Sequence, residues 1–379
     1  MEPDSNSGPT LLELREVLVE YILSRFDFSD SRTADVITAW IFGTYCYELF
    51  PAFPRLAFYG PKQSGKSKLL FFLSRVCYNA QYTVVPTVAS LYRLIKEYKA
   101  TVLLDEFNIY RPSEKADLIA ILRQGYKRGA TIPRAERFFV KRDVGSEKGK
   151  LETFHVSLYP VYCPIAFAGL TINDDQLLDR CIAINLLRSD NWDIVSKNID
   201  EEHFDLNMGD RLISYSWAEL RHHIECAIID NAKSITDSYY DLNETVSPMS
   251  GRDQEVWFPL LAIAHTACGG NHHPFWDNIH AFMRSYIAEK KQEDLTSFDA
   301  QVLEAIGHLD LSTHFTAKDI ADLLNEGLDP KEKVSTQAVG LALKRLGINY
   351  KILRGKKHYF ITEEEYKLKR QRFGMPEDE

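Results

Sequence analysis

Two short segments carry the residue types best suited to chemistry: GPKQSGKS at Gly60–Ser67 and LLDEF at Leu103–Phe107. The first has the GxxxxGKS spacing, follows an apolar run and opens a helical pattern. Gly60 and Gly65 let the segment Gly60, Pro61, Lys62, Gln63, Ser64, Gly65 curl so that successive backbone N–H groups face a phosphate chain. The helix N-terminus behind it adds a dipole favourable to an anion. Lys66 has the reach for β- and γ-phosphates, and Ser67 offers its hydroxyl to Mg²⁺. In the second segment an apolar strand delivers Asp105 at its carboxyl end, where α/β sheets hold ligands. Asp105 would hold Mg²⁺ through water, and Glu106 would orient or activate an attacking water. An Asp-Glu pair alone is weak evidence, but the TVLL ahead of it argues against a solvated surface.

The surrounding pattern supplies elements to position these groups. Arg55–Tyr59 reads as a buried strand, Ser64–Cys77 as a helix, Tyr82–Val85 as a strand, Val88–Tyr98 as a helix, Thr101–Asp105 as a strand and Ser113–Lys127 as a helix. Val161–Ala168 and Cys181–Leu187 are further apolar strands. Alternating strand and helix predicts a parallel sheet with helices on both faces. One strand intervenes in sequence between the two motifs, which suits ATPases with an extra strand rather than simple nucleotide kinases. Two helices, over 11–26 and from Ser31 to about Leu49, lead in. Residues 208–289 read as helical, including Arg211–Ala232, Gln254–His265 and Phe275–Glu289, and AEKKQED at 288–294 reads as a linker. The expected division is a helical lead-in at 1–50, a nucleotide-binding core at 51–205, a helical lid at 206–290, a compact unit at 295–365 and a tail at 366–379.

The chain has 379 residues, 45% of them hydrophobic, enough for a sizeable core and more than one domain. Its net charge of −9 means that any nucleic-acid contact rests on local patches. Six cysteines without a CxxC pair suggest neither a zinc site nor a disulfide framework, and fit a reducing cytoplasm. Cys268 with His272 and His273 lacks a fourth ligand and a usual metal spacing, so a loop is expected there. No apolar run of about 18 residues predicts a membrane span.

These blocks resemble the AAA+ ATPases, and more closely the mobile-element, phage and plasmid replication ATPases related to minichromosome-maintenance helicases. The resemblance runs from about Thr38 to Ala264. It is carried by TAWIFGTY at 38–45, LAFYGPKQSGKSKLL at 56–70, ATVLLDEFN at 100–108, ILRQGYKRGATIPR at 121–134, CPIAFAGL at 163–170, LLDRCIAINLLR at 177–188 and GRDQEVWFPLLAIA at 251–264. It implies ATP as substrate with Mg²⁺, an AAA+ P-loop sheet with a helical lid, and an oligomeric ring, expected to be a hexamer. It implies that Arg180, in LLDRC, is an arginine finger acting on a neighbour's ATP; a structural salt bridge is the plainer alternative. Arg252 falls at the sensor-2 position that touches the γ-phosphate, or else pairs with Asp253 or Glu255. Sensor 1 would follow the strand Val161–Ala168, with Thr171 or Asn173 in the role.

Two regions are candidates for nucleic-acid contact. Arg137–Arg142 and Leu151–Ser157 flank a Gly145…Gly149 turn and read as a β-hairpin whose tip carries Lys141, Arg142, Lys148 and Lys150. In the helicases it resembles, a hairpin there grips the DNA backbone; an ordinary solvated hairpin is the alternative. The unit from Phe298 to Ile361 has the helix–helix–helix–wing layout of a winged helix, with helices near Phe298–His308, Thr316–Leu324 and Ser335–Leu346 and a wing at 350–361 turning at RGKK. From Val334 to Phe360 the basic residues are Lys344, Arg345, Lys351, Arg354, Lys356 and Lys357, with no Asp or Glu. Eight acids lie between Phe298 and Lys333. A basic face opposite an acidic one suits DNA, with Lys344, Arg345, Arg354, Lys356 and Lys357 as the contacts, although winged helices also bind proteins.

The expected activity is an ATPase coupled to DNA translocation or unwinding, acting as a ring on single-stranded or forked DNA in replication of a mobile element, virus or plasmid. A separate primase or initiator would be a partner, and no membrane is involved. The alternative is an origin-binding initiator or loader with slow ATP hydrolysis.

Overall fold

A computed structural model describes residues 8–84, 86–107, 116–144, 147–169, 174–200, 202–245, 249, 251–270, 272–329, 333–373 and 375. It divides into two compact units, Met1–Phe282 and Met283–Glu379.

The first unit opens with α1 (Leu11–Leu23) and α2 (Thr33–Cys46), the latter followed by a single 3₁₀ turn. Thr10 and Glu13 cap α1 reciprocally, satisfying two of the backbone donors that a helix start leaves unpaired. Almost every residue of α2 is buried, as expected of a helix enclosed on all sides. The alternating region follows as β1 (Arg55–Tyr59), α3 (Lys66–Val76), β2 (Ala80–Thr83), α4 (Val88–Tyr98), β3 (Thr101–Leu104) and α5 (Ala116–Gln124). Next come β4 (Thr131–Val144), β5 (Glu147–Pro160), β6 (Ile165–Gly169), α6 (Asp175–Leu178), β7 (Cys181–Asn185) and α7 (Trp192–Val195). The unit continues through β8 (His203–Met208), β9 (Arg211–Ser216), α8 (Trp217–Thr245) and α9 (Gly251–Ala267) into α10 (Pro274–Thr296).

Five strands form one parallel sheet in the order β2-β3-β6-β1-β7, flanked by helices. The fold is therefore α/β with a P-loop between β1 and α3. The three inner strands are buried almost throughout, and the edge strand β2 is only half-buried, which is why the inner strands read as unbroken apolar runs. In space β6, not β2, separates the P-loop strand from the Asp105 strand. At the amino end of β1, Arg55 is fully buried and donates from Nε to the Leu122 carbonyl at 2.5 Å and from Nη2 to Ile121 at 3.3 Å. It thereby satisfies the Leu122 carbonyl in the last turn of α5 and shares the Ile121 carbonyl with the Gly125 N–H.

Three expectations need correction. Arg211–Ser216 is a strand paired with His203–Met208, so the helix expected from Arg211 begins at Trp217. The expected linker at 288–294 is the continuation of α10. The expected tail at 366–379 begins inside a helix. The second unit contains α11 (Phe298–Gly307), α12 (Ala317–Leu324), α13 (Thr336–Arg345), the antiparallel pair β10 (Asn349–Leu353) and β11 (Lys356–Phe360), and α14 (Glu363–Arg372). Tyr366 of α14 is buried in this unit's core, and the Lys369 ammonium donates to the Leu346 carbonyl at 2.8 Å, off the end of α13. Arg354 and Gly355 turn the β10–β11 hairpin with φ of 49° and 77°, the two left-handed residues that a type I′ turn demands.

No helix among the described residues is long and apolar enough to cross a membrane.

Candidate nucleotide site and nucleic-acid surfaces

The carboxyl ends of β1 and β3 bring the two sequence motifs together. Gly60 has φ +140°, and a Cβ there would sit 2.1 Å from the Leu186 carbonyl oxygen, so only glycine fits. Gln63 and Gly65 also have positive φ, at 64° and 85°, which winds the loop tightly before α3 begins at Lys66. The Lys66 ammonium donates to the Gly60 carbonyl at 2.9 Å, the Pro61 carbonyl at 2.6 Å and Ser64 Oγ at 3.1 Å. Burial lowers its pKa, and the Asp105 carboxylate opposes that shift, so the two groups share one field. Ser67 is exposed beside it.

Asp105 is buried, immediately beyond β3. Its Oδ1 accepts from the backbone N–H of Glu106 at 2.8 Å, and its Oδ2 from the Tyr82 hydroxyl at 2.5 Å. Glu106 is exposed, with φ +52°. Tyr82 is a site residue that sequence reasoning missed. It stands on β2 in register with Leu103, and the carboxylate is reached only across the strand pair. Burial and the hydrogen bond to Asp105 push its phenol pKa far above the ordinary value.

An open cavity of about 100 Å³ adjoins the loop at Gln63–Gly65, with Phe26, Leu186, Leu187 and Ile194 among its walls. Lys68 ties two of those walls together, donating to the Arg25 carbonyl at 3.1 Å and the Ile194 carbonyl at 3.2 Å. Arg188 Nε donates to the Lys62 carbonyl at 2.8 Å, fastening the wall after β7 to the loop.

Arg180 and Arg252 are elsewhere. Arg180 immediately precedes β7, and its carbonyl accepts from Arg55 N at 3.2 Å, at the amino end of β1. The five-residue strand then runs about 13 Å, at ~3.3 Å per step, before the P-loop starts. The two guanidinium groups converge on one ring, with carbons 5.5 Å and 5.0 Å from the Tyr126 centroid. Arg252 pairs with Asp179 at 3.2 Å and Glu255 at 2.8 Å, and Glu255 also accepts from the Tyr126 hydroxyl at 2.8 Å. Arg180 Nη1 donates to the Gln176 carbonyl. Both arginines thus lie at the end of the sheet opposite their own P-loop. Tyr126 sits inside the ILRQGYKRGATIPR block, but nothing in the sequence marked it as their common platform. Thr171 and Asn173 lie outside the described residues.

β4 and β5 form a hairpin of fourteen-residue strands, paired from Thr131↔Pro160 to Val144↔Glu147. It is longer than the sequence suggested, and Gly149, expected in the turn, pairs with Arg142 inside the ladder. Lys141 pairs with Lys150, and Asp143 with Lys148, so the four expected basic residues occupy the distal rungs; their side chains, and residues 145–146, lie outside what is described. The hairpin base rests on α4. Tyr159 packs on Tyr92 with centroids 4.3 Å apart, and Glu136 accepts from the Tyr159 hydroxyl and from Ser157 Oγ. The opposite face exposes Phe154, Val156 and Leu158.

In the second unit Lys344, Arg354, Lys356 and Lys357 are exposed. Arg345 is not free for an anion: its guanidinium makes a two-pronged pair with Asp299, with Nε donating at 2.8 Å.

No family model and no curated protein matches this sequence. Among solved structures, the apo A form of the NrS-1 C-terminal region is similar over 93% of this chain and 75% of that one, at 12% identity and a TM-score of 0.35. A JCV helicase structure is similar over 73% of this chain and spans 61% of its own length in the match, at 14% identity and a TM-score of 0.28.

Proposed function

We propose that this chain is an ATP-driven DNA translocase or helicase that works as an oligomeric ring in replication of a mobile element, virus or plasmid. The observation that carries this reading is the separation of the site into two halves at opposite ends of one sheet. Gly60–Ser67, Asp105 and Glu106 form one half, and Arg180 with Arg252 on Tyr126 the other. A chain built this way completes its site only with the arginine face of a neighbour, which a closed head-to-tail ring supplies to every subunit.

The loop would bind the triphosphate through its backbone N–H groups and Lys66. The cavity walled by Phe26, Leu186 and Leu187 would take the base. Ser67 and the buried Asp105 suit Mg²⁺, which would neutralise charge on the phosphates. Glu106 would accept the proton of the attacking water. The neighbour's Arg180 would stabilise charge that develops on the transferred phosphoryl group. The distal rungs of the β4–β5 hairpin bring four basic residues to one end of a long lever whose base rests on α4, the helix between β2 and β3. The second unit, read as a winged helix, would add a further DNA contact.

The test is ATP-dependent strand displacement on forks of both polarities, alongside footprinting on duplex. Displacement by wild type is expected. Hydrolysis without displacement on any fork defeats the helicase reading. A sequence-specific footprint with little turnover favours the alternative, an origin-binding initiator or loader.

Tyr82 acts here as a positioning residue. Tyr82→Phe removes the donor to Asp105 Oδ2 and leaves the ring. Turnover is expected to fall about tenfold, with the half-saturating Mg²⁺ concentration raised and nucleotide affinity in the absence of Mg²⁺ unchanged, as for other groups that orient a metal-bound carboxylate. Identical Mg²⁺ titrations for both proteins would show the hydrogen bond to be idle.

A further inference from the structure

The hairpin of the second unit carries more apolar surface than phosphate contact requires. β10 is exposed along its whole length. Tyr350 is 48% exposed and Ile352 68%. They are two residues apart and therefore share one face of the hairpin. The same face carries their partners, Tyr359 opposite Tyr350 and Lys357 opposite Ile352. Tyr359 is buried, and its hydroxyl lies 3.9 Å from where a Cβ on Gly340 would be, so this face looks toward α13. Tyr350 and Ile352 therefore stand exposed beside a buried Tyr359, where Gly340 contributes no side chain.

Charge selects the occupant. Lys357 Nζ stands 4.3 Å from the centroid of the Tyr350 ring, and Lys351, Arg354 and Lys356 lie along the same two strands and their turn. No acid occurs between Val334 and Phe360. A protein partner seated there would have to neutralise this cluster, whereas a nucleic-acid backbone does so by itself. Within a duplex, bases turn only their edges outward, and an exposed tyrosine ring gains little from them. Unpaired bases present flat faces that stack on such a ring. The one arginine on α13, Arg345, is held by Asp299.

We infer that this face binds single-stranded DNA by stacking an unpaired base on Tyr350, with Ile352 packing beside it and Lys356, Lys357 and Arg354 on the flanking phosphates. The inference rests on the reading of the chain as acting on DNA, and it assigns the β10–β11 hairpin to the separated strand rather than to duplex.

The test uses full-length protein carrying Lys66→Ala, without nucleotide, so that turnover plays no part. Binding of a fluorescent oligothymidylate and of a duplex of equal length is measured by anisotropy across a salt series. Tyr350→Ala is expected to weaken single-strand binding about tenfold with the salt slope unchanged, because stacking releases no counterions. Lys356→Ala is expected to lower the slope by about 0.7 for a single strand. Tyr350→Phe keeps the ring and is expected to bind as the parent does, which separates stacking from loss of fold. Photocrosslinking of an iododeoxyuridine oligonucleotide is expected to label the Asn349–Phe360 peptide at Tyr350. Absence of that crosslink with unchanged affinity for Tyr350→Ala overturns the inference and leaves the face to a protein partner. An equal loss on duplex also overturns it. A chain that crosslinks at Tyr350 but never displaces a strand keeps this site and loses the helicase reading, so the two fail separately.

Discussion

Glu106→Gln is expected to lower ATP turnover by about 10²–10⁴-fold, the range for loss of a positioned general base, while nucleotide affinity stays within about threefold. The reasoning starts from the backbone. Asp105 immediately follows a buried strand, and Glu106 is the first exposed side chain after it. Its φ of +52° lies in the left-handed region, where a residue with a Cβ is strained by about 1–2 kcal/mol. The chain holds it there because its N–H donates to Asp105 Oδ1 at 2.8 Å, while Phe107 N donates to the Ala168 carbonyl at 2.7 Å and draws the chain back toward β6. In the proposed mechanism the exposed Glu106 carboxylate then activates the attacking water. Glutamine keeps the shape and the strain but accepts no proton.

The same geometry separates function from stability. Glu106→Gly is expected to lower turnover as far as glutamine does, yet to raise unfolding stability by about 1 kcal/mol over Glu106→Gln, because glycine adopts this φ freely. Urea midpoints of the two variants, with steady-state turnover, check both halves. If Glu106→Gln turns over at the wild-type rate, another group activates the water. If glycine is no more stable than glutamine, the backbone at 106 is not strained.

Much of the sheet was legible because burial writes itself into composition. RLAFY, TVLL and IAFAG are inner parallel strands, and inner strands admit no polar face to blur the signal. The P-loop was legible because its glycines answer to steric demands that no other residue meets, as the contact at Gly60 shows. Elements without an apolar stripe were misread. α14 has the sequence EEEYKLKRQR and buries only Tyr366, so it looked like a tail; its Thr362–Glu365 capping box was the available signal. Residues 288–294 looked like a linker because they are charged, yet Ala, Glu, Lys and Gln favour helix, and α10 runs through them. The strand Arg211–Ser216 is mostly exposed and abuts a long helix, so its alternation was absorbed into that helix.

What could not be read was proximity across chain separation. Tyr82 meets Asp105 through the β2–β3 register, and Arg252 meets Arg180 over Tyr126, with Asp179 bridging beside it. The local patterns of the sequence state what each segment is, while these meetings depend on how the segments pack. The sequence therefore suggested roles for Arg180 and Arg252 separately. Their shared ring makes them one unit at the far end of the sheet.

That pairing carries the second large prediction. Arg180→Ala is expected to lower turnover by about 10³-fold or more, as loss of a charge that stabilises phosphoryl transfer does. Arg180 also packs on Tyr126 and bonds Gln176, so a loss of activity alone would not distinguish catalysis from misfolding. Mixing does. Lys66→Ala has a sound arginine face and a dead loop; Arg180→Ala has a sound loop and a deficient arginine face. If the two halves meet between subunits, random co-assembly places a sound loop against a sound arginine in about a quarter of interfaces, and turnover reappears from two inactive proteins. If Arg180 served its own chain's phosphates across the length of β1, no mixture could restore activity. Arg252→Ala is expected to follow the same complementation pattern, because it stands on the same ring; a mixture that rescues Arg180→Ala but not Arg252→Ala would separate the two arginines and assign Arg252 to holding Asp179 and Glu255.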